Sequence, residues 1–381
     1  MSFKKINIIT IVGTRPEIIR LSRVISRLNN SKSINHILIH TGQNYDFELN
    51  EVFFKDLKIK KPDFFLESAG SSPSETIGNI IIKVDKLFDK LNPDALLILG
   101  DTNSCLAAIP AKKKQIPIFH LEAGNRCYDQ RVPEEINRKI IDHISDINLT
   151  YSQIAKNYLL REGFPPDRII KVGSPMKEIL DYNKKFILES KILNQLKLKK
   201  NNFFLVSAHR EENIDNPTNF SLLKEVLVNL SDEFKLPVIV STHPRTMKAL
   251  GKDKNNLDEK IKFLKPFGYF DYVTLQQNAK VVLSDSGTIT EESSILNFRA
   301  LNIRESHERP EGMEEASVMM SGLKYFRVRQ AIETVLNQST NNDRNISIIN
   351  DYNLENFSHK IERIIISYID FINRVVWQKG Y

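Results

Sequence analysis

Short, almost wholly apolar runs rich in β-branched residues alternate along this chain with longer amphipathic stretches, and the alternation starts afresh halfway along. The first set of runs lies at 6–12, 34–40, 95–100, 117–121 and 147–151, with apolar residues at helical spacing over 16–28, 77–91 and 134–144. A strand that is apolar throughout is buried on both faces, and such strands separated by helices specify a parallel sheet covered on both sides. The second set lies at 203–207, 237–242, 261–264, 279–284 and 300–304, with helical stretches at 220–230, 272–277 and 289–296. The expected fold class is α/β, with two doubly wound parallel-sheet domains on either side of a central cleft.

A length of 381 residues suits two domains, each with a core of its own. The break is expected near Val172-Gly173-Ser174-Pro175, a Gly/Pro turn after a short strand. That gives an N-terminal domain at 1–172 and a C-terminal domain at 173–359. The polar stretch 337–353 reads as a surface loop. A long last helix, about 354–377, is expected to lie across both domains, with 360–381 packing back on the first. Ligands of open α/β sheets sit beyond the carboxyl ends of the strands. The residues that follow each strand are therefore those to read for chemistry.

Hydrophobic residues at 41% and charged residues at 27% fit a globular chain and exclude a disordered one. The net charge of +7 could serve nucleic acid, a membrane surface or an anionic small molecule. Its lysines and arginines are scattered, and the densest runs, 112–114 and 197–200, lie between apolar segments as solvated helix ends do. With no nucleic-acid motif, nucleic acid is not expected as a partner. Cys105 and Cys127 stand far apart and outside any CxxC pair, which fits a reducing compartment. The apolar run near the N-terminus is too short for a signal peptide, and no segment offers about 18 uninterrupted apolar residues. A soluble, cytoplasmic protein with no membrane partner is expected.

The first strand runs into Gly13-Thr14-Arg15-Pro16-Glu17. Thr14 with Glu17 forms a capping box at a helix start, and the same exposed N–H groups with Arg15 suit an anion. The third strand ends in Gly100-Asp101-Thr102-Asn103, where Asp101 is placed as a ligand-facing carboxylate or as the cap of a helix beginning near Ser104. Glu122 directly follows the next strand and precedes Gly124, which is harder to explain as a cap. Glu134 follows Pro133 in a first turn, a place the helix dipole favours even without function.

In the second half, the first strand ends in Ser207-Ala208-His209-Arg210, a pair suited to phosphate, and His243 after Thr242 repeats the placement. Asp285-Ser286-Gly287-Thr288 follows the strand at 279–284. Ser286 and the N–H of Gly287 suit a diphosphate. Thr288 with Glu291 reads as another capping box. Glu292, one position further on, suits a ribose diol. The first half thus supplies carboxylates and the second anion-binding groups, a division that suits a nucleotide diphosphate carrying a neutral sugar. No HExxH, Cys/His spacing or paired acidic motif points to a metal, and no GxGxxG follows the first strand, so neither metal nor NAD cofactor is expected.

Together these motifs resemble the non-hydrolysing UDP-N-acetylglucosamine 2-epimerase family. The matching pieces are GTRPE at 13–17, GDTNS at 100–104, HLEAGNR at 120–126, PEEINR at 133–138, AHREEN at 208–213, SDSGTITEE at 284–292 and ERPEG at 308–312, in order through nearly the whole chain. The segments at 120–152, 308–323 and 372–377 are similar to one branch, the UDP-N-acetyl-L-fucosamine synthases of capsule and O-antigen pathways. Glucosamine-specific members carry a GQHR-type segment near an activating UDP-N-acetylglucosamine. This chain reads Gly42-Gln43-Asn44-Tyr45 there, and Arg20 stands where the family has Lys.

The resemblance implies the GT-B fold of two Rossmann-like domains, a UDP-sugar substrate, no cofactor and a homodimer. It implies Asp101, Glu122 and Glu134 as the acid/base set and His209 as a catalytic contact to the leaving diphosphate. Arg15, Ser286 and Gly287 would hold phosphate and Glu292 the ribose, with further substrate contacts from Arg20, Arg126, Arg210, His243, Tyr272 and Arg309. The implied reaction converts UDP-2-acetamido-2,6-dideoxy-β-L-talose to UDP-N-acetyl-L-fucosamine by elimination and re-addition of UDP. The alternatives are UDP-N-acetylglucosamine as substrate, giving UDP-N-acetylmannosamine, or a GT-B glycosyltransferase.

Overall fold

The computed structural model describes residues 4–43, 54–130, 132–242, 246–247, 250–251, 258–305, 309–340 and 342–379. By their internal contacts these fall into two compact units, Met1–Asp181 with Asn353–Tyr381, and Tyr182–Tyr352. The turn at 172–175 lies within the first unit, and the helix Met176–Glu189 carries the chain into the second.

The first unit is built on seven parallel strands: β1 (Ile6–Val12), β2 (Ile34–His40), β3 (Phe64–Phe65), β4 (Ala95–Leu99), β5 (Ile118–Leu121), β6 (Ile147–Thr150) and β7 (Ile169–Lys171). Their order is β3-β2-β1-β4-β5-β6-β7, so the direction of winding reverses between β1 and β4. Every residue of β4 is buried, as its unbroken apolar run requires. Ile9, Ile11, Leu96 and Ile98 meet Ile80, Val84 and Phe88 of the helix Pro73–Leu91 in one core cluster. The helix Arg15–Asn30 buries Ile18, Leu21, Val24, Ile25 and Leu28, the stripe expected of a helix that covers a sheet.

The last helix is Phe357–Val375, shorter at both ends than its sequence pattern suggests, and it belongs to the first unit. It turns Phe357, Ile361, Ile365, Ile369 and Ile372 inward and runs beside the helix Arg15–Asn30, where Arg27 pairs with Glu362 at 2.5 Å. Its first turn is tied to the outgoing chain. Glu178 of Met176–Glu189 accepts from Ser358 N at 2.7 Å and from its hydroxyl at 2.5 Å, and Lys360 donates to Val172 O at 2.9 Å.

The second unit has six parallel strands: β8 (Phe204–Ser207), β9 (Val238–Ser241), β10 (Ile261–Leu264), β11 (Val281–Ser284), β12 (Ala300–Asn302) and β13 (Met319–Met320), in the order β10-β9-β8-β11-β12-β13. The reversal here lies between β8 and β11. Alternate residues feed two cores. Phe204, Val206, Val281 and Leu283 join the helices Pro217–Phe234 and Tyr325–Leu336, while Leu205 and Val282 join Tyr269–Asn278 and Thr288–Leu296.

Three helices begin at least three residues earlier than apolar spacing alone suggests, and two of them start with a cap followed by proline. Asn216 Oδ1 accepts from Thr218 N at 2.9 Å ahead of Pro217, and Ser72 Oγ accepts from Glu75 N at 3.1 Å ahead of Pro73. The helix expected at 272–277 spans Tyr269–Asn278. At Thr288 the expected capping box is not formed. Gly287 occupies the cap position with no side-chain bond, Thr288 is already helical, and Ser286 Oγ accepts the Thr288 N–H at 3.4 Å. Glu291, left without that role, is fully buried beside Arg309. Among the described residues, no helix is long and apolar enough to cross a membrane.

The sheet of the first unit carries two buried histidines on β2. His36 Nε2 lies 2.9 Å from Thr10 Oγ1 of β1, and burial, then the nearby Lys60 charge, pushes the His36 pKa down to about 3. Burial pushes that of His40, stacked on Phe65, down to about 4. Because both folded values lie below the unfolded one, the unfolded chain binds protons first as pH falls. Stability present above about pH 6.5 is therefore lost on acidification, by about 1.4 kcal/mol per pH unit for each histidine. His36→Gln is expected to flatten the dependence of the urea midpoint on pH between pH 6 and pH 4. An unchanged slope would show that His36 titrates like an exposed imidazole.

Candidate active site

The carboxyl ends of β4 and β5 bring two of the sequence-derived carboxylates side by side. Leu99 pairs in register with Leu121, so Asp101 and Glu122 emerge from adjacent strands. Gly100 takes a φ of 78° before Asp101, and Glu122 itself takes a φ of 67°. A left-handed backbone at a residue other than Gly costs on the order of 1 kcal/mol, so this turn is held by its surroundings. Gly124, at a φ of 79°, closes the turn against the chain: an added Cβ would meet Ala155 O at 2.5 Å.

Each carboxylate faces a buried arginine. Arg138 Nε donates to Asp101 Oδ2 at 2.7 Å, and Arg20 Nη1 stands 3.3 Å from Glu122 Oε2 while its guanidinium lies 5.7 Å from the centroid of the Tyr151 ring. The cap position of the following turn, Asn103–Ala107, is held by Thr102 and not by Asp101. The helix Pro133–Ile144 presents Glu134 one turn before the residues that hold Asp101. Asn137 Nδ2 donates to Asp101 O at 2.8 Å, and Arg138 Nη1 donates to the buried Glu135 at 2.9 Å. Burial alone would raise the Glu135 pKa, but the Cys127 N–H and Arg138 outweigh it and hold the carboxyl below its usual range.

Glu17 does more than cap a helix. Its Oε2 accepts from Gly13 N at 2.8 Å, Thr14 N at 2.7 Å and Thr14 Oγ1 at 2.9 Å. Its Oε1 accepts from Thr102 Oγ1 at 2.9 Å and Ser104 Oγ at 2.5 Å. One buried carboxylate thus joins the loop after β1 to the loop after β4. Burial pushes its pKa up, and the donors from Ser104, Gly13, Thr102 and Thr14 offset part of that shift. Cys105 beside it donates to Leu99 O at 2.9 Å, and burial together with the charges of Glu17 and Asp101 raises the thiol well above its ordinary value, which leaves it inert. Arg15 is half-buried at the first position of the same helix.

Arg126, expected as a substrate contact, lies in a buried network. It donates to Asp142 Oδ2 at 2.7 Å, to both oxygens of Glu162 at 2.8 and 2.7 Å, and to Asn125 O at 2.7 Å. Desolvation would lower its pKa, but the two carboxylates more than compensate and raise it. Asp142 also lies 2.9 Å from His120 Nδ1, and His120 Nε2 lies 2.8 Å from Gly100 O. The network therefore braces the backbone on which both Asp101 and Glu122 sit. Partners 16 and 36 residues away in sequence are invisible to motif reading.

In the second unit the candidates gather at the reversal point. Ser207 pairs with Ser284, so the His209 and Ser286 loops leave the sheet side by side. Asp285, fully buried, accepts from His209 N at 2.9 Å and Arg210 N at 3.0 Å, and lies 3.2 Å from His209 Nδ1. Ser286 Oγ lies 3.0 Å from Thr288 Oγ1, and Gly287 opens the helix Thr288–Leu296. Glu292, on that helix, accepts from Gln276 Nε2 at 2.6 Å. Burial, then the Glu292 charge, pushes the Tyr272 hydroxyl pKa up against hydrogen bonds from Ser207 and Ser284. Arg309 Nη2 lies 3.7 Å from Glu291. His243 lies outside the described residues.

Residues 26–366 match a protein family described as UDP-N-acetylglucosamine 2-epimerase. Among solved structures, UDP-N-acetylglucosamine 2-epimerase from Rickettsia bellii is 52% identical with a TM-score of 0.92, over 99% of this chain and 100% of that one. A Methanocaldococcus jannaschii UDP-GlcNAc 2-epimerase in complex with UDP-GlcNAc and UDP is 33% identical with a TM-score of 0.88, over 95% of this chain and 100% of that one. A Pseudomonas aeruginosa protein, UDP-2,3-diacetamido-2,3-dideoxy-D-glucuronate 2-epimerase, is 30% identical over 88% of this chain and 94% of its own length. The two parallel-sheet α/β units match the GT-B-like structures of these relatives.

The Glu17 junction gives a stability prediction. An amide at position 17 offers one accepting oxygen where the carboxylate offers two, and its NH₂ faces donors. Glu17→Gln is expected to cost about 3 kcal/mol, read as a lower urea midpoint. An unchanged midpoint would mean that the donors of Gly13, Thr14, Thr102 and Ser104 find other acceptors.

Proposed function

The chain belongs to the UDP-N-acetylglucosamine 2-epimerase family, and on that premise we propose that it inverts C2 of a UDP-activated 2-acetamido sugar with carboxylates of its first unit. The observation that carries this reading is the pair Asp101 and Glu122, on adjacent strand ends and each facing a buried arginine. C2–H of an acetamido sugar is only weakly acidic, so removal to a free carbanion is slow. Elimination avoids it. A carboxylate takes the C2 proton, the C–H electrons form the C1–C2 double bond, and the C1–O bond breaks to release UDP. An oxygen of UDP then adds back to C1 while a proton reaches C2 from the opposite face. This needs acid/base groups on two faces of the ring and donors at the departing diphosphate.

Asp101, Glu122 and Glu134 serve as the acid/base set in this reading. His209, Ser286 and the Gly287 N–H of the second unit receive the diphosphate, Glu292 holds the ribose, and Arg15 is a further substrate contact. Arg20 acts through Glu122, and Arg126 through the loop that carries it. The proposed substrate is UDP-2-acetamido-2,6-dideoxy-β-L-talose and the product UDP-N-acetyl-L-fucosamine, a building block of capsule or O-antigen. The segments at 120–152, 308–323 and 372–377 support this choice, as does the departure at Gln43-Asn44-Tyr45, of which Asn44 and Tyr45 lie outside the described residues. The name of the Pseudomonas relative supports a family whose sugars extend beyond N-acetylglucosamine. A second reading, UDP-N-acetylglucosamine to UDP-N-acetylmannosamine, is favoured by the name of the Rickettsia bellii protein at 52% identity.

Incubation with each UDP-sugar in deuterium oxide, followed by NMR, separates these readings by product and reports deuterium at C2. The L-talo sugar is expected to turn over faster, and faster turnover of UDP-N-acetylglucosamine would overturn that choice. Asp101→Asn and Glu122→Gln are each expected to lower kcat by about 10²–10⁴-fold with the fold intact. Full activity in either variant removes that residue from the acid/base set.

A further inference from the structure

The buried carboxylate of Asp285 has no part in the reading above, yet it touches the one imidazole assigned to the diphosphate. It is the first residue past β11, with none of its surface exposed. Three donors converge on it, His209 N at 2.9 Å, Arg210 N at 3.0 Å and Asn213 Nδ2 at 3.1 Å, and the Nδ1 edge of the His209 ring stands 3.2 Å away. A buried anion is tolerated only when its lone pairs are occupied in this way. The His209 side chain, by contrast, is 42% exposed.

We infer that Asp285 is a positioning residue that fixes the tautomer of His209, so that the ring turns Nε2 toward the diphosphate of a UDP-sugar. A carboxylate only accepts, so the ring edge against it must carry its proton on Nδ1. The neutral ring then leaves a lone pair on Nε2, and the protonated ring presents an Nε2–H donor to an anionic oxygen. The same carboxylate holds the backbone N–H groups of His209 and Arg210, so ring and loop are set by one group. Ser286 and Gly287 follow Asp285 directly, and the contact that aims the imidazole is thereby rigidly joined to the loop assigned to phosphate. The assignment of His209 to the diphosphate rests on the proposed function, whereas the tautomer does not.

The tautomer is read without turnover, from ¹⁵N–¹H NMR of protein labelled on histidine and assigned with His209→Ala. The wild-type ring is expected as the Nδ1–H form when neutral, and an Nε2–H form would overturn the inference whatever the substrate proves to be. Titration with UDP is expected to move the His209 Nε2 resonance, and an unmoved resonance would overturn the diphosphate contact. Asp285→Asn keeps the size of the side chain and an accepting oxygen, but can turn an NH₂ toward Nδ1 and favour the opposite tautomer. It is expected to lower kcat about 100-fold with KM little changed. In a His209→Ala background the same substitution is expected to cost less than about 3-fold. An equal loss in both backgrounds would assign Asp285 to the loop alone and overturn the inference. If Asp285→Asn does not fold, the wild-type tautomer and the UDP titration still decide.

Discussion

Where the strand order of a doubly wound sheet reverses, two neighbouring strands send their loops away to opposite faces, and backbone N–H groups are left at the edge with no strand to receive them. In both units of this protein a buried carboxylate receives them. Glu17 takes the N–H groups of Gly13 and Thr14 after β1 and the hydroxyls of Thr102 and Ser104 after β4. Asp285 takes the N–H groups of His209 and Arg210 after β8 from its own place after β11. The side chains differ and arrive from different elements, Glu17 from a helix and Asp285 from a strand end. The physical problem and its solution are the same.

The candidate groups depend on these junctions. Asp101 lies between Gly100, whose carbonyl meets His120, and Thr102, whose hydroxyl meets Glu17. His209 and Ser286 flank the Asp285 carboxylate through bonds and through sequence. Charged groups near reacting atoms are useful only if they do not relax toward water or toward one another. Here each is fastened by a partner less exposed than itself: Asp101 by Arg138, Glu122 by Arg20 and His209 by Asp285.

Much of this was legible in the sequence. Runs rich in apolar, β-branched residues located β1, β2, β4, β5 and β6, and the restart of the pattern located β8 to β12, because strands covered on both faces leave limited room for polar residues. The two-residue edge strands β3 and β13 carry too little pattern to be read. The apolar stripe gave helix interiors, while the starts at Pro73 and Pro217 needed the cap-and-proline signal that precedes the stripe. The segment at 284–292 holds Ser286, Gly287 and Thr288 in succession, each a plausible cap, and chain geometry chose Gly287. Position after a strand marked Asp101, Glu122 and His209 correctly as strand-end groups. It also drew attention to Arg126, whose partners Asp142 and Glu162 come from a later helix and its successor. Asp285 stood inside a recognised motif, but a role defined by three distant donors and a neighbouring imidazole cannot be read from the motif itself.

The stapling of Ser358 to Glu178 and of Lys360 to Val172 bears on how the chain assembles. The second unit, Tyr182–Tyr352, is an insertion between two segments that must meet for the first unit to be complete. Bringing together the ends of a flexible loop of roughly 170 residues costs about 4–5 kcal/mol in chain entropy. A folded insertion removes most of that cost by holding its own ends. Completion of the first unit is thereby coupled to the second: with Tyr182–Tyr352 folded, Phe357–Val375 reaches its place along Arg15–Asn30 at a smaller entropic cost.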